Sequence, residues 1–278
     1  MESPHTTRPK GIELRSLVVG YRSGKTTRPL NHPATEEAPC GTLTCLIGSN
    51  GAGKSTLLRT IGGFQPPIGG EVRVAGQSVD GMAPRRRAEL MAVVLTDRPN
   101  ISCTTVSEMV ALGRAPYTGF WGRLGDSDRE AVERALRLVD IEALAGRAVA
   151  SLSDGERQKV MIAKALAQQT PVILLDEPTA FLDYPSKVET MLLLRRLARD
   201  EHKAVLLSTH DLELALQTAD RLWLMQKAAD GTGSGSCDTG TLTGGTPREL
   251  AASGAISRFV DRDHVAFDPG NMTVRLKA

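Results

Sequence analysis

The sequence has little that would give it a disulfide framework, a zinc site or a membrane span. Its four cysteines contain no Cys-x-x-Cys pair and stand at Cys40, Cys45, Cys103 and Cys237. This usage favours a reducing compartment. No stretch approaches the roughly 18 consecutive apolar residues of a transmembrane helix, and the polar start is unlike a signal peptide. We therefore expect any contact with a membrane to come through a partner.

A strong excess of one charge is also missing. The 278 residues include 34 Lys and Arg against 32 Asp and Glu, which gives a formal net charge of +2. Proteins that bind nucleic acid through a basic face usually carry a larger positive excess. We therefore expect no nucleic-acid partner and a ligand that is recognised locally. The length suits one large domain with a sizeable core.

Short apolar runs alternate with segments of helical periodicity. The runs that resemble strands are Ile12 to Val19, Leu43 to Ile47, Glu71 to Ala75, Ala92 to Leu95, Val172 to Leu175, Ala204 to Ser208 and Leu222 to Met225. This alternation predicts an α/β fold with parallel strands at the centre of the sheet. We assign residues 11–95 and 171–226 to this core.

Residues 96–170 contain no convincing strand, and the spacing of their apolar residues predicts helices. One candidate is Thr105 to Leu112, and a second begins at a cap formed by Asp126 or Ser127. A third runs from Gly155 to Gln168 with Ser153 as its cap. We therefore predict a helical subdomain inserted into the core.

The C-terminal residues 227–278 read as an extension. Asp230 to Gly245 is rich in Gly, Ser and Thr and is predicted to be a flexible loop that ends the main sheet. Pro247 to Ser253 is predicted to form a short helix, and the final residues a hairpin that turns at Asp268 to Asn271.

A glycine-rich segment follows the strand-like run Leu43 to Ile47 and precedes a helix-like run from Thr56 to Ile61. It reads Gly48-(x)4-Gly53-Lys54-Ser55 and matches the phosphate-binding loop in sequence and in context. Backbone N–H groups at a helix N-terminus form an anion site, and glycine lets the main chain approach phosphate. The alternative is a plain glycine-rich turn, but a chance match is on the order of one per cent for such a chain.

The loop predicts which residues contact a nucleotide such as ATP. The residues expected to do so are Gly48, Ser49, Asn50, Gly51, Ala52, Gly53, Lys54, Ser55 and Thr56. Lys54 is expected to reach the β- and γ-phosphates and to take part in catalysis, and Ser55 to ligate Mg²⁺.

Two carboxylates end the buried run Val172 to Leu175. Ligands of open α/β sheets bind at the C-terminal edge of the strands. We therefore expect Asp176 to hold Mg²⁺, directly or through water, and Glu177 to activate the attacking water as general base. The alternative is an acidic helix cap after a core strand.

Residues 152–183, which begin with Leu152-Ser153-Asp154-Gly155-Glu156, resemble the ATPase subunit of an ABC transporter. The resemblance covers most of residues 11–226 and implies a P-loop core of the ABC ATPase type with an inserted helical subdomain and an antiparallel β edge. It also implies that Ser153 and Gly155 bind the γ-phosphate held by a second copy, so that two subunits enclose two ATP molecules. An ordinary N-cap at Ser153 would be compatible with this role.

Three further positions match the same family. Phe181-Leu182-Asp183 resembles the loop through which two subunits sense each other, and this assigns Asp183 to the nucleotide site. His210 resembles the family's switch histidine beside the catalytic Glu, although a lone His after a strand is more often structural. Tyr21 resembles the aromatic residue that stacks on adenine, although it could equally be a surface tyrosine. Its neighbours Arg22 to Arg28 read as a loop.

The chain departs from the family at two places. Most relatives carry a metal-ligating Gln where this chain has Leu95-Thr96-Asp97, and the hydroxyl of Thr96 is the candidate replacement at the metal. Asp154 replaces the usual Gly of the signature, and Glu156 the usual Gln. Because a carboxylate facing the γ-phosphate would oppose binding, we expect Asp154 to point away.

The segment Ala111 to Tyr117, followed by Gly119-Phe120-Trp121, resembles ATPases of ferric-siderophore, haem and cobalamin importers. This implies a homodimer on the cytoplasmic face of the membrane, bound to a permease dimer and served indirectly by a substrate-binding protein. The aromatic residues could form the groove for the permease or pack the subdomain's own core. A soluble ABC-type ATPase for iron-sulfur assembly or nucleic-acid remodelling is the alternative. A GTPase is disfavoured because an Asn-Lys-x-Asp motif is missing.

Overall fold

A computed structural model describes residues 10–24, 26–95, 104–119, 121–227 and 239–277. The strands are β1 Ile12–Val18, β2 Gly20–Ser23, β3 Thr26–Pro29, β4 Ala34–Ala38, β5 Thr42–Gly48, β6 Gly69–Val74, β7 Gln77–Ser78, β8 Met91–Val94, β9 Val172–Leu175, β10 Ala204–Thr209, β11 Arg221–Gln226, β12 Thr241–Gly245, β13 Val265–Asp268 and β14 Thr273–Leu276. The α-helices are α1 Lys54–Ile61, α2 Pro84–Leu90, α3 Val106–Ala111, α4 Asp126–Leu138, α5 Asp154–Ala167, α6 Tyr184–Asp200, α7 Leu212–Thr218, α8 Pro247–Ala252 and α9 Ala255–Val260.

The main sheet has the strand order β12-β11-β5-β10-β9-β8. Its strands from β11 to β8 run parallel, as predicted from the apolar runs. Every residue of β9 and β10 is buried, which is expected of a parallel sheet covered on both faces. The prediction of parallel central strands is confirmed.

A second, antiparallel sheet with the order β4-β1-β6-β7 packs beside the first. Its core residues Ile12, Leu14 and Leu17 are at most 1% exposed and join a cluster with Leu57 of α1 and Trp223 of β11. Because α1 is held between this layer and the main sheet, the loop before it has a fixed position. The α/β fold with an antiparallel layer is confirmed.

Helices α3, α4 and α5 lie between β8 and β9 in the chain, as predicted. Thr105 and Ser153 cap α3 and α5 through their side chains. The predicted cap of α4 is wrong: the cap is Gly125, whose N–H donates to Asp128 Oδ2 at 3.0 Å. A carboxylate three residues into the helix reaches back and satisfies this donor. Over the described ranges, no helix has both the length and the apolar character to cross a membrane.

The C-terminal extension adds to the main sheet. Thr241–Gly245 was predicted to be loop but forms β12, which pairs antiparallel with β11 from Leu222–Gly245 to Gln226–Thr241. The alternation of exposed Thr241 and Thr243 with buried Leu242 suits a strand, and pairing with β11 outweighs the weak strand propensity of its glycines. The rest of the predicted loop up to residue 238 lies outside the described residues.

The segment after Tyr21 also differs from the expected loop, because β2 and β3 form a hairpin from Gly20–Pro29 to Ser23–Thr26. The predicted helix after Thr246 and the final hairpin are both confirmed, as α8 and as β13 paired with β14. Helix α9 was not predicted. Its Ile256 and the Phe267 of β13 are buried in the main core cluster, so the extension packs on the core.

Substitution of Gly244 tests the placement of β12 beside β4 and β11. A Cβ at this position would lie 2.0 Å from Glu36 Oε2 and 2.8 Å from Cδ1 of the fully buried Trp223. Glu36 also accepts a 2.6 Å hydrogen bond from Gly244 N. We expect Gly244→Ala to lower the free energy of unfolding by about 1–3 kcal/mol, measured by urea denaturation. Gly69→Ala in β6, where a Cβ meets nothing within 4 Å, is the control. Equal effects of the two changes would contradict the placement of β12.

Candidate functional site

The glycine-rich loop joins the end of β5 to the start of α1. Gly51 and Gly53 have φ values of 76° and 103°, which lie in the left-handed region that favours glycine. A Cβ at Gly48 would lie 2.7 Å from the carbonyl oxygen of Met225, so this residue must be small for the loop to pack on β11. The loop therefore presents its main chain at a helix N-terminus, where an anion is favoured.

Lys54 is the first residue of α1, directly after this loop, and is only 6% exposed. Its ammonium donates to the carbonyl oxygen of Gly48 at 2.8 Å and to that of Ser49 at 3.4 Å. Burial lowers the pKa of Lys54, while the nearby Glu177 and Asp176 oppose that shift. A buried ammonium beside the backbone N–H groups of a helix N-terminus is a donor set that suits phosphate oxygens.

The two predicted carboxylates lie directly after β9 and are held by β10. The hydroxyl of Ser208, which is fully buried at the end of β10, accepts a 2.8 Å hydrogen bond from Glu177 N and donates to Asp176 Oδ1 at 2.7 Å. Glu177 has a φ of 50°, a conformation of about 1–3 kcal/mol strain that clusters at functional sites. Sequence reasoning assigned Ser208 no role. The available signal was a polar residue at the end of a buried strand.

His210 links the loop to the carboxylates. Its Nε2 lies 2.6 Å from Glu177 Oε1, and its Nδ1 lies 3.5 Å from Lys54 Nζ. With Lys54 as an ammonium, which can only donate, and His210 neutral, Nδ1 is the acceptor and Nε2 donates to Glu177. The structure thus brings Lys54, Asp176, Glu177 and His210 together within one chain.

Tyr21 and Ser55 flank the same loop. The hydroxyl groups of Tyr21 and Thr56 are 2.8 Å apart, which holds the tyrosine ring beside the start of α1 with 55% of the residue exposed. Ser55 is exposed in the first turn of α1. The hydroxyl of Ser55 and the carboxylate of Asp176 are hard oxygen donors, and this set fits Mg²⁺ bound together with phosphate.

Ser153, Gly155 and Asp183 lie at the starts of two neighbouring helices. Ser153 caps α5 and Asp183 caps α6, and a Cβ at Gly155 would lie 3.6 Å from Oγ of Ser186. The hydrogen bonds described for Ser153 and Asp183 stay within their own helices. The structure of one chain therefore does not place these residues against the phosphate-binding loop.

The unusual acidic residues of this segment have local partners. Glu156 accepts from the Ser153 N–H at 2.9 Å and from its hydroxyl at 3.1 Å, which completes a capping box. These hydrogen bonds lower the pKa of Glu156. Asp154 lies 3.4 Å from a guanidinium nitrogen of Arg157. Both carboxylates thus stabilise the first turn of α5.

The aromatic residues before α4 divide into two environments. Tyr117 stacks on Arg114, with 4.1 Å between the guanidinium carbon and the ring centre, and is 38% exposed. Trp121 is 83% exposed. Phe120 and the predicted metal ligand Thr96 lie outside the described residues.

Comparison with known proteins identifies the family. A family model described as ABC transporter matches residues 32–180. The chain is 43% identical to an uncharacterised ABC transporter ATP-binding protein of Methanocaldococcus jannaschii, over 77% of this chain and 73% of that protein. It is 38% identical to the "Probable siderophore transport system ATP-binding protein YusV" of Bacillus subtilis, over 76% of this chain and 75% of that protein.

A solved structure has the same fold. It is a dimeric bacterial ABC transporter cassette that superposes with a TM-score of 0.65 and 27% identity, over 77% of this chain and 94% of the cassette. The chain belongs to the ATP-binding, ATP-hydrolysing subunits of ABC transporters.

Proposed function

We propose that this ATPase powers an importer of ferric siderophores or related iron chelates, as part of a complex with a membrane permease dimer. The siderophore relative and the segment Arg114 to Tyr117 support the choice of cargo. The observation that carries the chemical assignment is the convergence of Lys54, Glu177 and His210, with 2.6 Å between His210 Nε2 and Glu177 Oε1. Haem and cobalamin are the alternative cargoes.

Each residue of the site has a task in the hydrolysis of ATP. The loop N–H groups and Lys54 bind the phosphates, and Tyr21 supports the adenine. Glu177 accepts a proton from the attacking water, and the hydrogen bond from His210 holds that carboxylate in place. Mg²⁺, held by Ser55 and Asp176, would neutralise the phosphate charge when bound.

A second copy of the chain completes the nucleotide site. Ser153 and Gly155 open α5, and the N–H groups at a helix N-terminus favour the charge of a γ-phosphate. No hydrogen bond described for Ser153 joins it to the loop of its own chain, so a partner's loop is the available target. The dimeric solved relative supports this assembly. We place Asp183 on the same face, toward the partner.

The complex would lie on the cytoplasmic face of the membrane, held there by the permease, with a substrate-binding protein delivering cargo from the other side. Trp121, which is 83% exposed, is our candidate for permease contact, because tryptophan is enriched in protein interfaces relative to the rest of the surface. Thr96 remains our proposal for the third oxygen near the metal.

Replacement of the general base gives the most direct test. We expect Glu177→Gln to slow hydrolysis by about 10² to 10⁴ fold, because the amide cannot accept the proton of water. ATP binding and closure of the dimer should persist. Phosphate release and size-exclusion chromatography with ATP measure the two effects. Glu189→Gln, on the exposed face of α6, is the control, and hydrolysis at the parent rate by Glu177→Gln would refute the assignment.

Ser208→Ala tests whether β10 positions the carboxylates. The change leaves Glu177 N and Asp176 Oδ1 without the hydroxyl that joins them. Loss of such a buried partner costs about 1–3 kcal/mol. If this cost falls on the transition state, kcat falls by about 5 to 160 fold. Ser208→Thr keeps the hydroxyl and should retain most of the activity. Steady-state kinetics that show the same kcat for Ser208→Ala and the parent protein would disprove this role.

Tryptophan fluorescence tests the permease contact. The chain has two tryptophans, and because Trp223 is fully buried while Trp121 is 83% exposed, acrylamide should quench mainly Trp121. We expect the detergent-solubilised permease to reduce this quenching, and Trp121→Phe to remove the quenchable component. Unchanged quenching in a complex shown to have formed would exclude Trp121 from the contact.

A further inference from the structure

The C-terminal end of α5 is bound by an arginine from another segment. Arg114, which is 5% exposed, donates from Nη1 to the carbonyl oxygen of Ala167 at 2.7 Å and to Gln169 Oε1 at 2.9 Å. Its Nε donates to Asp128 Oδ1 at 2.8 Å. The guanidinium therefore joins the last turn of α5 to the first turn of α4.

Tyr117 adds a second connection to the same helix end. Its hydroxyl donates to the carbonyl oxygen of Gln168 at 2.8 Å, and its ring lies against the Arg114 guanidinium. Three consecutive residues at the end of α5 thus accept hydrogen bonds from one short segment. We call Arg114 and Tyr117, with their acceptors Ala167, Gln168 and Gln169, the Arg114 clasp.

Helix physics explains why an arginine suits this position. The last carbonyl groups of a helix have no partner inside it, and the C-terminus carries a partial negative charge that favours a cation. Gln169 has a φ of 56°, so the chain leaves α5 in a left-handed turn that the side-chain contact to Arg114 supports. Arg114 is therefore a cap for α5 supplied from outside that helix.

Gly113, the residue before Arg114, is closely packed against α5. A Cβ on Gly113 would lie 2.2 Å from the carbonyl oxygen of Lys164 and 3.2 Å from Cβ of Ala167. The main chain at residues 113–114 is thus in direct contact with the last turn of α5. A displacement of this segment cannot leave α5 behind without breaking the buried ion pair and the clasp.

The two ends of α5 face different parts of the proposed assembly. The helix spans 14 residues, or about 21 Å, from Ser153 at its start to the clasp at its end. The chain that leaves the clasp reaches exposed Trp121 within a few residues. One rigid helix therefore lies between the proposed permease contact and the proposed nucleotide contact.

We propose that Arg114 is a positioning residue that couples permease contact near Trp121 to the Ser153 end of α5. The inference rests on the proposed importer function. When the permease shifts the segment after Arg114, the clasp moves α5 as a unit and places Ser153 against the partner's nucleotide. Arg134 pairs with Glu201 at 2.6 Å, and no hydrogen bond described for it reaches the last residues of α5.

Arg114→Lys tests the proposal because lysine keeps the charge but loses the planar fork that reaches several acceptors. ATPase activity is measured for the isolated subunit and for the subunit reconstituted with its permease in vesicles. We expect the isolated activity to stay within about twofold and the permease-stimulated kcat to fall by about 2 to 30 fold, with KM for ATP unchanged. Arg134→Lys is the matched control and should alter neither activity.

Tyr117→Phe provides a second variant should Arg114→Lys fail to fold. It removes one hydrogen bond to Gln168, and we expect a smaller loss of permease stimulation in the same direction. An equal loss of ATPase activity with and without permease would show that the clasp has only a structural role and would overturn the proposal. Full stimulation by the permease in both variants would also overturn it. A parent protein that no permease stimulates would refute the importer function itself.

Discussion

The site depends on the parallel pairing of β10 with both β5 and β9. The register pairs Thr209 with Ile47 and Leu207 with Leu175, so the three strands end at one edge. The loop after β5, His210 after β10 and the carboxylates after β9 therefore meet without any long-range loop to place them. A slip of one residue would reverse the side-chain faces of these buried strands, so burial of the sheet also fixes the distances within the site.

Much of this arrangement is encoded locally and could be predicted from the sequence. Continuous apolar runs such as Val172 to Leu175 indicate buried strands, and a glycine-rich turn that ends in Lys54 has few other uses. The convergence of Lys54 and Glu177 followed from the rule that parallel strands share an edge. The role of His210 could be predicted only from the resemblance to a family, because the residues around a single histidine do not indicate its function.

The errors share a physical cause. β12 and the hairpin of β2 and β3 have weak propensity in isolation and form because a partner strand is present. The position of the α4 cap depends on which acidic side chain accepts the hydrogen bond from Gly125 N, and in the structure this is Asp128. The role of Ser208 was not predicted, because it arises from hydrogen bonds to residues that follow the neighbouring strand β9. Such long-range contacts cannot be seen in a local pattern.

Strand β12 has a consequence beyond the site. Leu222, Trp223, Leu224 and Met225 of β11 are at most 2% exposed, and β12 occupies the hydrogen-bonding edge that β11 would otherwise present. An uncovered apolar edge of this kind is a template for association between chains. By pairing with β11, the tail after residue 238 therefore removes an edge through which two chains could associate.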